Sequence, residues 1–465
     1  MFPSIEVAQL HVREKGYRII DLKFSDLWGR WHQVTIPASQ FGERLMKEGL
    51  CFDGAAAGLD SIRAEDMVLI PDLSSGFRDP LREEPTLTFI CFTHEADTRR
   101  RSSLDPRNIA HKAEAHLKEA GFADHSLWGP GFEFYILDDL AAGSEVNEAA
   151  RQGGGPAAGP GHPLPPHDRH HPPLRQAQLH DLLAEICLEL EGMGIQVRCH
   201  HQEVGGPGQC AIDTSLLPLL EAGDAIQMVK YAVKGVARRH GRKATFLPKP
   251  FSGEAGSGMR FHQMLYKGGK NLFYDPGGYG SLSQTALWCI GGLLKHAPAL
   301  LAITNPSTHS FRRLVPDFEA PVNAFFSRGN RSAAIRVPRN ADQPGKARFA
   351  FGPPDATCNP YLALAAQLMA GLDGIRNRID PTAEGLGPID AKLLTLDEDA
   401  RARIRRLPTS LTEACIALEA DMDFLLAGGV FDRGQLQDFL SHLRAQDADL
   451  RDRPHSYEMA LNFDA

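Results

Sequence analysis

Three sets of side chains in this 465-residue chain are of types that do chemistry. The first is a histidine cluster, His162, His167, His170 and His171, in a stretch at 141–175 rich in Gly, Pro and Ala. Imidazoles can hold a metal ion, but these have no carboxylates at ligand spacing, so the stretch reads as a surface loop. The second set is eight cysteines, Cys51, Cys91, Cys187, Cys199, Cys210, Cys289, Cys358 and Cys415, with no Cys-x-x-Cys pair. Scattered thiols of this kind predict free cysteines in a reducing cytoplasm. The third follows a Lys249-Pro250 turn. There Gly256-Ser257-Gly258-Met259-Arg260-Phe261-His262 carries a guanidinium and an imidazole into a strand expected at 258–266. It is the most informative segment of the chain.

The elements that position these groups must be built by a chain too long for one ordinary core, which predicts two domains or one composite unit. A formal net charge of −8, spread along the chain, excludes the clustered basic surface that nucleic-acid binding needs. The N-terminus lacks a basic region followed by an apolar run, so no signal peptide is expected. The most apolar window, 286–303, is interrupted by Lys295, His296 and Pro298, which argues against a membrane span. Residues 18–36 read as a hairpin turning at Gly29, 38–50 as a helix and 86–92 as a strand. Asp105-Pro106 is an N-cap and first-turn pair opening a helix to about residue 120, and the domain boundary is placed near 102. Beyond it strands at 132–137, 195–201, 244–247 and 258–266 alternate with helices at 176–193, 220–240 and 283–301. A helix at 360–377 opens on Asn359 and Pro360, and two amphipathic helices fill 409–450.

Short motifs then recur in a fixed order. They run from Cys51-Phe52-Asp53-Gly54 through Met67-Val68-Leu69-Ile70-Pro71-Asp72, Asp105-Pro106-Arg107, and Trp128-Gly129-Pro130 with Glu133-Phe134. They continue with His200-His201-Gln202-Glu203-Val204, Phe246-Leu247-Pro248-Lys249-Pro250 and Gly256-Ser257-Gly258-Met259. Arg313-Leu314-Val315-Pro316, Glu319-Ala320-Pro321-Val322, Asn330 to Arg336 and Asn359-Pro360-Tyr361-Leu362-Ala363 complete the series. From Ile20 onward this order resembles bacterial type I glutamine synthetase. The resemblance implies an α+β fold: an N-terminal β-grasp domain (1–102) and a large catalytic-type domain (103–465) with a curved antiparallel sheet flanked by helices. It also implies hexameric rings, usually paired into dodecamers, with active sites between neighbours. The implied reaction joins ammonia to glutamate through an acyl phosphate made from ATP, with Mg2+ or Mn2+.

Carried over position by position, the resemblance puts one metal on three glutamates. Two stand here as Glu133 and Glu203; the third position is Ala211. The second metal, which grips ATP, would use positions now occupied by Gly131, Arg260 and Ala350, so it loses every ligand. Five glutamates with two dications leave one net negative charge, and so do Glu133, Glu203 and Arg260 without metal. Arg260 is therefore expected to pair with these carboxylates in the metals' place. Arg313 matches a substrate-carboxylate arginine, but its partner position is Gly352. Ala255, Leu216 and Gly161 replace residues of the substrate, adenine and ammonium pockets. Glu319 matches a flap glutamate that shields the intermediate, and Asp53 a residue lent by the neighbouring subunit for proton transfer. Arg331, Arg336 and Arg348 match phosphate-contacting arginines, and His262 a nucleotide-side histidine. Leu394 stands where some members carry a modified tyrosine, so that switch is expected to be absent.

The resulting expectation is a soluble, cytoplasmic glutamine synthetase-like protein of nitrogen metabolism whose ligase activity is lost or strongly altered. It would bind a small acid or amine, assemble with itself, and be able to join an authentic glutamine synthetase. The alternative is an active ATP-dependent ligase with a different acid or amine substrate and one metal at Glu133 and Glu203.

Overall fold

The computed structural model describes residues 2–55, 66–138, 177–205, 208–316, 320–391 and 393–455. The histidine-rich stretch at 141–175, Gly161 within it, and Glu319 lie outside the described residues. Two sheets organise the rest. The first holds β1 (Ile19–Ser25), β2 (Trp31–Pro37), β3 (Leu50–Asp53), β4 (Asp66–Pro71), β5 (Phe77–Arg78) and β6 (Thr86–Glu95). Its order is β2-β1-β6-β4-β3, with β5 also on β6, and β1 runs parallel to β6. The β1–β2 hairpin turns at Gly29, whose φ of 76° suits glycine. A Cβ at this position would also lie 2.8 Å from Asn359 Cα.

The second sheet comprises β7 (His125–Leu137), β8 (Val197–Gln202), β9 (Gln209–Thr214), β10 (Leu217–Pro218), β11 (Lys243–Thr245), β12 (Met259–Lys267), β13 (Lys270–Asn271), β14 (Asn323–Ser327), β15 (Ala333–Arg336) and β16 (Phe349–Phe351). Its main path is β14-β15-β16-β12-β7-β9-β8. Alternation along each strand separates two faces. Phe132 and Phe134 on β7, Met259 and Phe261 on β12, and Phe349 and Phe351 on β16 are buried in the helix-covered core. The intervening residues face a cavity.

Local signals set the helix ends. Asp105 accepts from the Arg107 amide at the start of helix Pro106–Glu119, and Asn359 accepts from Tyr361 and Leu362 at the start of helix Pro360–Asn377. The expected helix at 38–50 is reduced to a 3-10 turn and Glu43–Glu48, framed by Gly42 and Gly49. The helix expected at 283–301 forms as Gln284–Thr304, with Lys295 and Pro298 inside it. Length and composition alone would let it cross a membrane, with a mean hydropathy of 1.5, yet 78% of that window is buried inside the fold. It packs against helix Pro360–Asn377 at Gly292 and Gly374, where a Cβ at 292 would lie 2.7 Å from Gly374 Cα.

The two sheets are joined by buried polar contacts. Arg107 donates through Nε and Nη2 to Asp224 (2.9 and 2.8 Å) and through Nη2 to Asp72, which follows β4 (2.8 Å). Tyr361 Oη donates to the same Asp224 at 2.7 Å. Asn359 Nδ2 reaches the Asp26 carbonyl at 2.9 Å, and Gln227 Nε2 the Gly29 carbonyl at 3.0 Å.

Candidate functional site

The cavity of about 460 Å3 lies over the concave face of the large sheet. Strand register lays out its floor in cross-strand rows. One row runs from Arg336 on β15 through Ala350 and His262 to Gly129 on β7. The next runs from Arg260 on β12 through Gly131 and Asp213 to Cys199 on β8. A third sets Glu133 beside Ala211 and His201. Alternation thus brings Glu133, Arg260 and His262 to one surface.

Arg260 Nη2 donates to Glu133 Oε1 at 2.8 Å, so the ion pair expected from the charge balance is formed. Glu133 Oε2 accepts from the Gly258 amide at 2.8 Å, and the Glu133 amide donates to the Gly258 carbonyl at 3.1 Å. Two glycines, 256 and 258, let that segment lie close over Arg313. The Arg260 side chain is 41% exposed and the Glu133 side chain 18%. Its guanidinium is held charged above its ordinary range by Glu133 first, then by Glu203 and Asp213, against the cost of burial. Glu203 follows β8, with His201 Nδ1 at 3.7 Å. Burial, and after it the neighbouring Glu133 carboxylate, push the Glu203 carboxyl up.

Arg313 is buried, and its donors are turned onto backbone. Nη1 reaches the carbonyls of Pro353 (2.7 Å) and Pro354 (3.2 Å), and Nη2 that of Gly352 (3.3 Å). It ties the end of helix Thr308–Arg313 to the segment 352–354 of the cavity wall. Arg348 Nη1 donates to the Lys346 carbonyl at 2.9 Å and Nη2 to Asn340 Oδ1 at 3.2 Å. Arg331 and Arg336 also line the cavity. His262 is half-buried, and burial followed by the charges of Arg348 and Arg260 pushes its pKa down to about 3. Its Nδ1 is buried with no hydrogen-bond partner. Asp53 is exposed at the end of β3 and does not line the cavity of its own chain.

Three lining residues escaped the sequence reading: Asp213, Arg198 and His201. Asp213 carried a signal, since it lies two residues beyond Ala211 on the same strand face. His201 was quoted in a motif without a role. Arg198 carried none, because it depends on an irregularity of β8. Altogether six arginines face three carboxylates in this cavity.

The residues present do not fit a two-metal centre. Gly131, Ala211 and Ala350 offer no side-chain donor, and Glu133 is occupied by Arg260 and the Gly258 amide. Among the described residues no group of three or more His, Cys, Asp or Glu is placed to hold a metal ion.

Comparison with known proteins fits this architecture. Residues 16–96 match the glutamine synthetase β-grasp domain and residues 103–462 the glutamine synthetase catalytic domain. The glutamine synthetases of Frankia alni and Streptomyces filamentosus are 43% and 42% identical to this chain, each over 100% of both sequences. Among solved structures, Plasmodium falciparum glutamine synthetase superposes with a TM-score of 0.85 at 22% identity, covering 99% of both chains. Apo GmaS does so with 0.81 at 28% identity, covering 98% of this chain and 99% of its own. A matching fold, two matching domains and full-length relatives lead to one conclusion: the chain belongs to the glutamine synthetase family.

Proposed function

We propose that this protein keeps the glutamine synthetase scaffold while its ligase reaction is lost or strongly altered, and that its cavity holds an anionic metabolite on arginines. The observation that carries this reading is the 2.8 Å pair between Arg260 and Glu133, standing where the family resemblance puts metal ligands. A guanidinium neutralises carboxylates permanently, but it cannot bridge phosphate oxygens as a dication does. Phosphoryl transfer depends on that bridging for much of its charge stabilisation. Arg260, Arg331 and Arg336 supply the positive lining, while Arg313 shapes the wall. The domain boundary is read near residue 102. Assembly into a hexameric ring or a dodecamer belongs to the same reading, with Asp53 lent to a neighbouring copy or to an authentic glutamine synthetase subunit.

A second reading is favoured by the closeness of Glu133 and Glu203: an ATP-dependent ligase for another acid or amine. It requires Arg260 to leave Glu133. ATP-dependent phosphate release in Mg2+ and Mn2+, across a panel of amino acids and amines, separates the two. No turnover with any pair, together with calorimetric binding of an anion, supports the first reading. Turnover that vanishes in Glu319→Ala overturns it in favour of the second.

A further inference from the structure

A second cavity, of about 980 Å3, shares no lining residue with the first. It lies where the β1–β2 turn of the small sheet meets helices Leu219–Arg239 and Arg433–Arg451. Three cations line it: Arg30 from the turn, and Lys230 and Lys234 one helical turn apart on Leu219–Arg239. Lys230 is half-buried, Arg30 and Lys234 are exposed, and none of the three side chains makes a hydrogen bond or ion pair among the described residues. The neighbouring carboxylates are already engaged. Asp26, in the same lining, accepts from the Trp28 and Arg30 amides at 2.9 and 2.8 Å and meets His32 Nε2 at 3.1 Å. Asp355 accepts from Asn305 Nδ2 at 3.0 Å and from the Thr357 amide at 2.9 Å. A chain with a net charge of −8 thus gathers three positive side chains around one space and leaves them uncompensated.

The lining decides what such a place accepts. Burial, and after it the charge of Lys234, push the Lys230 ammonium down to about 8, with Asp355 pulling the other way. An ammonium held below its ordinary range gains from an anion brought beside it. Lysines four apart on a helix stand about 6 Å apart at Cβ, so two anionic groups on one small molecule can each take a lysine. Ammonium groups are point charges on flexible stems and receive carboxylate and phosphate alike. Between the cations the wall is aromatic, with Trp28, Trp31, Tyr231 and Phe246, and the volume is that of a metabolite site. We infer that Arg30, Lys230 and Lys234 form a second binding site, apart from the first cavity, for an organic dianion with two carboxylate or phosphate groups on a partly apolar body. A ligand held there braces the β1–β2 turn against helix Leu219–Arg239. This goes beyond the reading of the first cavity and does not depend on it.

The test is calorimetric titration of the full-length protein in EDTA with isophthalate as the dicarboxylate arm and propane-1,3-bisphosphonate as the phosphate-like arm. Benzoate, with one charge on the same ring, is the control. Wild type binds at least one dianion, and the tighter of the two identifies the anionic group. Benzoate binds about tenfold more weakly or not at all, having lost one charge-assisted contact. Lys230→Met and Lys234→Met keep the apolar stem, remove the charge, and each weaken the dianion by about tenfold. Lys234→Arg, which keeps the charge, retains most of the affinity. Arg331→Ala, in the first cavity, leaves this binding unchanged. Circular dichroism confirms that the lysine variants keep the fold. Absence of binding by both dianions, equal affinity for benzoate, or unchanged affinity in both Met variants would each overturn the inference. Binding lost in Arg331→Ala but kept in the lysine variants would overturn it too, by placing the anion in the first cavity.

Discussion

Asp213 stands over Gly131. A Cβ at 131 would lie 2.7 Å from Asp213 Oδ1, closer than real Cβ contacts come, so a side chain there must push that carboxylate aside. On this part of the cavity floor a carboxylate arrives from β9 instead of β7, and it faces Arg260 across the bare glycine.

Restoring a glutamate at 131 alone is therefore expected to leave the protein without a metal site. Mn2+ titration followed by electron paramagnetic resonance should show no tight binding for Gly131→Glu. Binding should appear only when Arg260→His, Ala350→Glu and Asp213→Asn are added. Tight binding by the single variant would refute the idea that Arg260 and Asp213 hold this space.

Removing the guanidinium should cost stability. Arg260→Ala removes the guanidinium bonded to Glu133 and leaves that carboxylate beside Glu203. The pair is partly solvent-exposed, so the expected loss is about 1–2 kcal/mol, below the cost of breaking a fully buried pair. Urea denaturation measures it, and Mg2+ should recover part of the loss in this variant but not in wild type. An Arg260→Ala protein as stable as wild type contradicts the argument.

Arg107 should be far less tolerant. Its fork serves Asp224 and Asp72 at once, and its side chain is only 3% exposed. Arg107→Ala strands the buried Asp224 carboxylate, at an expected cost of about 3–5 kcal/mol. Arg107→Lys keeps the charge but loses the fork and should fall between. Thermal unfolding of both variants gives the order. A Lys variant no better than Ala would show that charge plays no part.

A pH-dependent contribution is expected from His296, buried between Asp421 (Nδ1, 2.7 Å) and Asp373 (Nε2, 2.9 Å). Burial opposes its charge, but the bonds to Asp373 and Asp421 prevail and lift its pKa above the ordinary 6.5. The folded state thus holds this proton more tightly than the unfolded state does. Its stabilisation is complete below 6.5 and fades as pH rises through the folded pKa. Asp373 is held below its ordinary 3.8 by the same hydrogen bond, so the effect also fades in strong acid. His262, pushed down to about 3, works in the opposite sense below neutrality. The informative quantity is the difference between wild type and His296→Asn in urea unfolding. It should be larger at about pH 5.5 than at about pH 8.5. A gap that grows with pH would reverse the assignment.

Much of this fold was legible because the signals are local. Asn359-Pro360 gave the start of helix Pro360–Asn377, and periodicity gave Leu219–Arg239 and Ala177–Gly192 to within a residue or two. The strand carrying Arg260 and His262 followed from its glycine-rich entry. Non-local facts were not legible. The parallel pairing of β1 with β6 joins residues 67 positions apart, Ile19 with Thr86 onward. The helix expected at 283–301 is present as Gln284–Thr304 with Pro298 inside it, but that it is buried in the core depends on partners distant in sequence. In the site, Glu133, Arg260 and His262 were found through matched motifs, and register shows why they share a face. Arg198 could not be found that way, because a bulge is set by pairing with β9 and not by its own neighbours in sequence.

The Arg260–Glu133 pair also couples neighbouring strands of the cavity floor to one another. Replacing Arg260 deprives Glu133 of the guanidinium it binds, and a side chain added at 131 meets Asp213. One substitution on the cavity floor is thus felt on three strands at once: at Arg260 on β12, at Glu133 and Gly131 on β7, and at Asp213 on β9.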